Sequence, residues 1–408
     1  MYKIYVIGIS EPELSSDQQL LLETCSLLVA TKRLMDIAVG FSGRLLPIAP
    51  LDTAIGEIRS TLQDGNVALF ASGDPLFYGI GQKLLSEFPS SQVEIFPALS
   101  STQRACALFK TPWNDAEIIS FHGRDVGHIP GILLKNKKSI VFTDANCSPH
   151  FIAQNVLNYL QLLDLTELQD EIVLSIAENI GLRDEKITLA CSLKEAAAME
   201  FSSLNVLLIQ VPESLTKFNK GIGFGFGLHE NEICHSRGLI TKSEVRAVTL
   251  HQLRLPKRGV MWDVGAGSGS ISIESARSNP NLTIYAIEHK EEELENIKDN
   301  IRKFHCFNII PVFGRAPEML NSLPQPDRVF IGGSSGALGD IVKLIAKTMA
   351  TDGILVINGV IEKTIISAPL FMREAGFSVH ESVINVSRTS PNGESLNFNP
   401  ITVMTGTR

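Results

Sequence analysis

Short apolar runs alternate with longer mixed stretches from one end of the chain to the other, the rhythm of an α/β protein. Ile4-Tyr5-Val6-Ile7 reads as a strand that runs into Gly8, with a helix over Ser16–Cys25 and a strand over Ser26–Ala30 after it. Val67–Phe70, Val93–Phe96, Ile118–Phe121 and Leu204–Ile209 read as further strands, and Gln103–Phe109 as a helix. From Pro212 to Gly238 the character changes. Gly221, Gly223, Gly225 and Gly227 alternate there with Phe224 and Phe226, and His229, Cys234 and His235 follow. Their spacing is that of an interdomain joint rather than a metal site, so no metal is expected. A second series then begins. Trp262–Val264, Leu282–Ile287, Asn308–Phe313, Asp327–Ile331 and Gly353–Asn358 read as strands, Glu291–Lys303 as a charged helix, and Val379–Val386 as a strand-like segment closing the sheet. The expected division is a domain over 1–212, a linker over 213–237 and a domain over 238–408.

The second series contains the most informative stretch, Trp262-Asp263-Val264-Gly265-Ala266-Gly267-Ser268-Gly269-Ser270. It reads as a buried strand, a glycine turn and the first turn of a helix. Glycines at spacing two allow φ > 0 and let the backbone approach a ligand, while the amides at the helix start face it. The dinucleotide fingerprint would need a third glycine where Ser270 stands. About twenty residues on, at the separation expected for a ribose-binding acid, the second strand ends in Glu288. With no pyrophosphate to hold, that last glycine is dispensable. The D-x-G-x-G-x-G pattern resembles the S-adenosylmethionine (SAM) site of Rossmann-like methyltransferases. The resemblance implies that Asp263 belongs to the cofactor site, that Gly265, Ala266, Gly267, Ser268 and Gly269 serve the methionine end, and that Glu288 serves the ribose.

Composition narrows the setting. The 408 residues suffice for two or three domains. A net charge of −8 argues against a nucleic-acid partner, although it leaves room for an anionic small substrate in a local basic pocket. Six cysteines without paired spacing fit free thiols in a reducing cytoplasm. No apolar run approaches the roughly 20 residues of a membrane span, and the chain enters its first strand at once, so neither a membrane partner nor a signal peptide is expected.

The first series carries Gly73-Asp74-Pro75-Leu76-Phe77-Tyr78-Gly79, Pro97-Ala98-Leu99-Ser100-Ser101-Thr102, Pro112-Trp113-Asn114-Asp115 and Ser120-Phe121-His122-Gly123-Arg124. Asp74 and Pro75 suit a helix start, and the three hydroxyls suit either a cap or a ligand. His122 and Arg124 stand at a strand end, where α/β sites are usually built. Together with Ile176–Gly181, these segments resemble the tetrapyrrole methyltransferase family, in particular the subgroup acting at carbon 5 of the corrin ring precursor. The resemblance implies a two-lobed α/β fold with SAM in the cleft, bound by Gly73, Asp74, Pro75, Ser100, Ser101 and Thr102, and a substrate met by His122 and Arg124. One departure stands out: the family's Gly-x-Gly-Pro-Gly loop is Gly8-Ile9-Ser10-Glu11-Pro12 here.

In the second series, Thr241-Lys242-Ser243-Glu244-Val245-Arg246, the glycine turn, Gly314-Arg315-Ala316-Pro317-Glu318 and Phe330-Ile331-Gly332-Gly333-Ser334 resemble the decarboxylating methyltransferases that act at carbon 15 of the same precursor. Thr241 and Glu244 have capping-box spacing. Arg246 and Arg254, two helical turns apart, suit a solvated face or a basic rim for substrate carboxylates. The resemblance adds Thr241, Arg315 and Ala316 to the cofactor side, Arg315 standing where Asp is common, and gives Arg246, Gly332, Gly333 and Ser334 to the substrate. Both halves therefore point to cobalamin biosynthesis: a bifunctional SAM-dependent enzyme that methylates carbons 5 and 15 of a corrin-ring tetrapyrrole and removes a carboxylate, without a protein-bound metal. Related domains assemble, so a homo-oligomer is expected. Three rivals stay open: an NAD-dependent oxidoreductase, an RNA-associated methyltransferase-like module, and the same pathway enzyme with only its second half active.

Overall fold

The computed structural model describes residues 2–121, 127–216, 227–238 and 240–408. The chain packs into two compact units, and the division is not a single cut in sequence. One unit comprises Met1–Arg124, Lys138–Ala153 and Val173–Gln210; the other comprises Asp125–Lys137, Gln154–Ile172 and Val211–Arg408. The two shorter segments of the second unit sit where their side chains pack. Tyr159 is buried and donates its hydroxyl to the Ile309 carbonyl at 2.5 Å.

The first unit holds two sheets. In one, β1 (Ile4–Ile9), β2 (Cys25–Ala30), β3 (Arg44–Pro47), β4 (Asn66–Ser72) and β5 (Val93–Phe96) run parallel in the order β3-β2-β4-β1-β5. Helices cover both faces of such a sheet, which is why β1 and β4 are near-continuous apolar runs. In the other, β6 (Glu117–Ser120), β7 (Lys138–Phe142), β8 (Val173–Glu178), β9 (Lys186–Ser192) and β10 (Asn205–Gln210) run in the order β6-β7-β10-β8-β9, with only β6 and β7 parallel.

The second unit is built on seven strands: β11 (Gly259–Val264), β12 (Leu282–Glu288), β13 (Ile309–Phe313), β14 (Arg328–Ile331), β15 (Ile354–Gly359), β16 (Ser378–Ile384) and β19 (Ile401–Thr407). Their order is β13-β12-β11-β14-β15-β19-β16, parallel except for β19. A hairpin of β17 (Ser387–Thr389) and β18 (Ser395–Asn397) stands apart from the sheet. The direction of winding reverses between β11 and β14, so their following loops diverge and open a crevice at the carboxyl ends. The core on one side of this sheet joins Trp262, Val264, Ile331, Leu355 and Ile357 to Ile341, Val342 and Ile345 of the helix Leu338–Thr348.

Local expectations fail in two places. Asp74 and Pro75 do not start a helix; Asp74 Oδ1 accepts the Leu76 amide at 2.8 Å in a tight turn, and the helix begins only at Gly81. Thr241 and Glu244 do not form a capping box. The helix Ser243–Leu253 has Lys242 at its cap without a side-chain bond, and Glu230 accepts the Ser243 amide at 3.0 Å instead. Glu244 is drawn to Arg388, 2.7 Å away. Among the described residues, no helix is long and apolar enough to cross a membrane.

Candidate functional sites

In the second unit the site grows from the end of β11. Gly265, Gly267 and Gly269 take φ of +67°, +56° and +74°, the left-handed region that glycine alone enters without strain. The turn folds back on β12: the Gly265 and Ala266 amides both donate to the Ile287 carbonyl at 3.0 Å. Gly265 also lies against Gly333 in the loop after β14. A Cβ on Gly265 would come within 2.4 Å of the Gly333 carbonyl oxygen, so the two loops meet backbone to backbone where the sheet reverses. At Gly267 a Cβ would meet no protein atom within 4 Å.

Two carboxylates hold this turn. Glu288, at the end of β12, accepts the Gly267 amide on Oε2 at 2.9 Å and the His289 and Lys290 amides on Oε1 at 2.8 and 3.0 Å. Asp263 is fully buried beneath the turn. Its Oδ2 accepts the amide and hydroxyl of Ser272 at 3.1 and 2.6 Å, while Oδ1 has no partner. Burial pushes this carboxyl up to about 7, against the two bonds from Ser272. The turn opens on a cavity of about 310 Å³ lined by Gly265, Gly267, Glu288, Arg315, Ala316, Gly333 and Ser334.

The first unit holds a larger cavity, about 580 Å³, at the carboxyl ends of β1, β4, β7 and β8. Gly73, at φ +66°, passes so close to Ser100 that a Cβ would lie 3.1 Å from its Cα. The three hydroxyls at 100–102 part company. Ser100 caps the helix Ser101–Leu108 in a capping box with Gln103, Ser101 lines the cavity, and Thr102 is buried with its hydroxyl unpartnered. Phe77, Tyr78 and Phe142 form an aromatic wall with ring centroids 5.1–5.9 Å apart. The divergent loop Ile9-Ser10-Glu11-Pro12 also lines this cavity.

Comparison with known proteins bears on both halves. Residues 42–197 match the Tetrapyrrole (Corrin/Porphyrin) Methylases, and residues 232–406 match the Precorrin methyltransferase domain. A precorrin-6Y C(5,15)-methyltransferase [decarboxylating] of a Sinorhizobium species is 29% identical over 86% of this chain and 82% of its own. The protein of that name from Mycobacterium tuberculosis is 30% identical over 74% of this chain and 73% of its own. The chain belongs to the precorrin-6Y C(5,15)-methyltransferase (decarboxylating) family. A probable cobalt-precorrin-6B C(15)-methyltransferase (decarboxylating) of Pyrobaculum calidifontis, 36% identical, matches 41% of this chain and 87% of its own. The architecture is therefore an N-terminal tetrapyrrole methyltransferase fold followed by a Rossmann-like methyltransferase, and the protein is an enzyme of that family.

The residues singled out in the sequence do not share one place in the structure. Gly265, Gly267, Glu288, Arg315, Ala316, Gly333 and Ser334 line the second cavity, and Gly73 and Ser101 line the first. Asp263, Ala266, Ser268, Gly269, Gly332, Asp74, Pro75, Ser100 and Thr102 are not among the residues that line the two cavities. Ser268, for example, is buried and gives its carbonyl to Asn300 Nδ2 at 2.9 Å. Arg246 is a correction. It is 1% exposed, pairs with the equally buried Glu274 at 3.3 Å, and donates to the Thr241 and Leu228 carbonyls. It stands on no rim, and Thr241 meets it through its backbone. Arg254 ends the same helix in a left-handed cap. His122 and Arg124 lie outside the described residues.

Several lining residues were not singled out. His289, Lys290, Glu293 and Ser335 join the second cavity, and Arg33, Arg104, Phe77, Tyr78 and Phe142 join the first. His289 and Lys290 directly follow Glu288, and Arg33 follows β2, so the rule that sites gather beyond strand ends points to them. Arg104, on the helix Ser101–Leu108, has no such signal.

Proposed function

We propose that the chain carries out two SAM-dependent methylations of a corrin-ring precursor, precorrin-6Y or its cobalt form. Residues 1–212 methylate carbon 5. Residues 238–408 methylate carbon 15 and release a carboxyl group of the ring C acetate as carbon dioxide, with residues 213–237 as the linker. The observation that carries this reading is the presence of a glycine-turn cavity in each unit, beyond the strand ends of two differently wound sheets, each half matching a different methylase family.

The residues present fit SAM. In the second unit Gly267 leaves open the space that a Cβ would take, and the cavity is of ligand size. There Gly265–Gly269 would face the methionine end, Glu288 the ribose, and the backbone at Arg315 and Ala316 the adenine, while Gly333 and Ser334 face the corrin. In the first unit Gly73 and Ser101 would meet the cofactor and Arg124 and His122 the substrate. SAM supplies a methyl group on a sulfonium, already electrophilic. The protein's task is to align an electron-rich ring carbon with it and exclude water. On decarboxylation the carbon–carbon bond breaks, carbon dioxide leaves, and the conjugated ring takes up the electron pair.

We further expect a cytoplasmic homo-oligomer that binds no nucleic acid. The helix Glu362–Glu374 supports assembly by exposing Ile366 and Leu370 to 60% and 53%. The deciding test is calorimetric titration of the full chain with S-adenosylhomocysteine. Two sites per chain are expected, one lost in Gly73→Val and the other in Gly267→Leu. A single site lost only in Gly267→Leu would mean that the first unit is no methyltransferase, and binding of NAD in place of S-adenosylhomocysteine would overturn the whole reading.

A further inference from the structure

The first unit's cavity carries three charged side chains in its described lining: Glu11, Arg33 and Arg104. In a chain of net charge −8 this is a local reversal of sign. Neither guanidinium is paired with a carboxylate among the described residues. Arg33 donates Nη2 to the Ser72 hydroxyl at 2.7 Å. Arg104 donates Nη1 to the Ser10 carbonyl.

Both side chains are thus held, but not spent. Ser72 ends β4, so its bond to Arg33 fixes that guanidinium at the lip of the cavity. Arg104 is seated between Ser10 and Gly181. A Cβ on Gly181 would come within 2.7 Å of Arg104 Nη1, and Gly181 has φ +80°. The glycine therefore makes room for the arginine. Arg104 in turn braces the Ser10–Pro12 loop, which stands where the family's glycine-rich loop would be. Each fork keeps further N–H donors, and a pre-positioned guanidinium is the natural partner of a carboxylate. Across the same cavity stands the wall of Phe77, Tyr78 and Phe142.

We propose that Arg33 and Arg104 bind carboxylates at the edge of a polycarboxylated macrocycle in the first unit's cavity and so set its orientation for methyl transfer. This rests on the proposed function, whose relatives are named for a decarboxylation and so act on a carboxylated substrate. It adds the residues that read the carboxylates. It also gives the loop that lacks its glycines a part in the site, since Arg104 occupies one side of that loop.

The test uses the full chain, precorrin-6Y and SAM labelled with carbon-13 in its methyl group, with the carbon 5 and carbon 15 methyls followed separately by NMR. Arg33→Gln and Arg104→Gln are each expected to raise KM for carbon 5 methylation roughly fivefold to tenfold, as expected for losing one partly exposed charged contact. The carbon 15 parameters stay unchanged and report that the chain is folded. Arg33→Lys and Arg104→Lys, which keep the charge, recover part of the loss. Carbon 5 KM values unchanged in the double Gln variant, with both methyls still formed, would overturn the assignment and leave the proposed function standing. An unaltered chain that places a methyl only on carbon 15 would overturn both.

Discussion

Glu288 Oε2 accepts the Gly267 amide at 2.9 Å, so the acid at the end of β12 fixes the turn after β11. Its other oxygen accepts two more amides, from His289 and Lys290. Glutamine cannot reproduce this, because one of its two ends is a donor. Glu288→Gln must leave either the Gly267 amide or the other two without an acceptor. The expected cost is about 1–3 kcal/mol of stability in the second unit. S-adenosylhomocysteine affinity should fall at least about tenfold at one site, with the other unchanged, an effect of about 1.4 kcal/mol. Calorimetric titration beside thermal melting checks both.

The glycines of the turn are not equivalent. At Gly265 a Cβ would meet the Gly333 backbone at 2.4–2.7 Å, which cannot yield without parting the two loops. At Gly267 it would meet nothing, and only the left-handed φ resists. Gly265→Ala is expected to cost about 3 kcal/mol, combining overpacking and backbone strain. Gly267→Ala should cost about 1 kcal/mol. Chemical denaturation of the two variants under identical conditions measures the difference.

Arg246 shows where sequence spacing misleads. Two arginines two turns apart suggested a basic face, but the helix Ser243–Leu253 is covered on that side by Glu274 and by the segment at Gly227 and Leu228. Burial pushes the guanidinium's pKa down and Glu274 opposes the shift. Arg246→Met would leave Glu274 buried with Arg277, 3.8 Å away, as its one cationic neighbour among the described residues. A loss of about 3–5 kcal/mol is expected, as for breaking a buried pair. Carbon 15 methylation by the folded fraction should keep its KM, which a substrate-binding role would not allow.

The strands were legible because parallel strands buried on both faces are continuous apolar runs, as in β4 and β15. The glycine turn and Glu288 were legible because their chemistry is local: a positive φ, and an acid at the end of the next strand. What escaped was fixed by distant partners. Glu244 has the spacing of a capping residue, but Arg388, 144 positions later, takes it. Ser100, Ser101 and Thr102 look alike in sequence, and only the pitch of the helix they begin separates a cap, a cavity wall and a buried hydroxyl.

Asp263 predicts a pH dependence of opposite sign to that of a paired carboxylate. Its folded value is raised to about 7 from an ordinary 3.8, so the folded state favours the protonated form. The stability this contributes is fully present below about 3.8 and is lost as pH rises through about 7. Lowering the pH from 8 to 5.5 should therefore raise the melting temperature of the second unit. Asp263→Asn removes the titration and should flatten that part of the profile. A slope unchanged in the variant would assign it elsewhere.

Arg388 supplies the acid limb of the same profile. It bonds Glu230 at 2.6 Å and Glu244 at 2.7 Å, tying the β17–β18 hairpin to the segment that caps the helix Ser243–Leu253. These bonds hold both carboxyls down at about 2, below their ordinary 4.5. The stabilisation is present above about 4.5 and is lost as pH falls through about 2. Glu230 carries most of it, because its side chain is 19% exposed against 43% for Glu244, where solvent screens the pair. Arg388→Ala should lower the melting temperature at pH 7 and narrow the gap to the unaltered chain as pH drops from 5 to 2. Proteolysis should cut the freed hairpin near Asn392-Gly393 first, since it loses its tie while the seven-stranded sheet keeps its pairing. A gap that stays constant across that pH range would show that Arg388 acts through its contact with the Phe398 ring, 5.1 Å away, rather than through the two carboxylates.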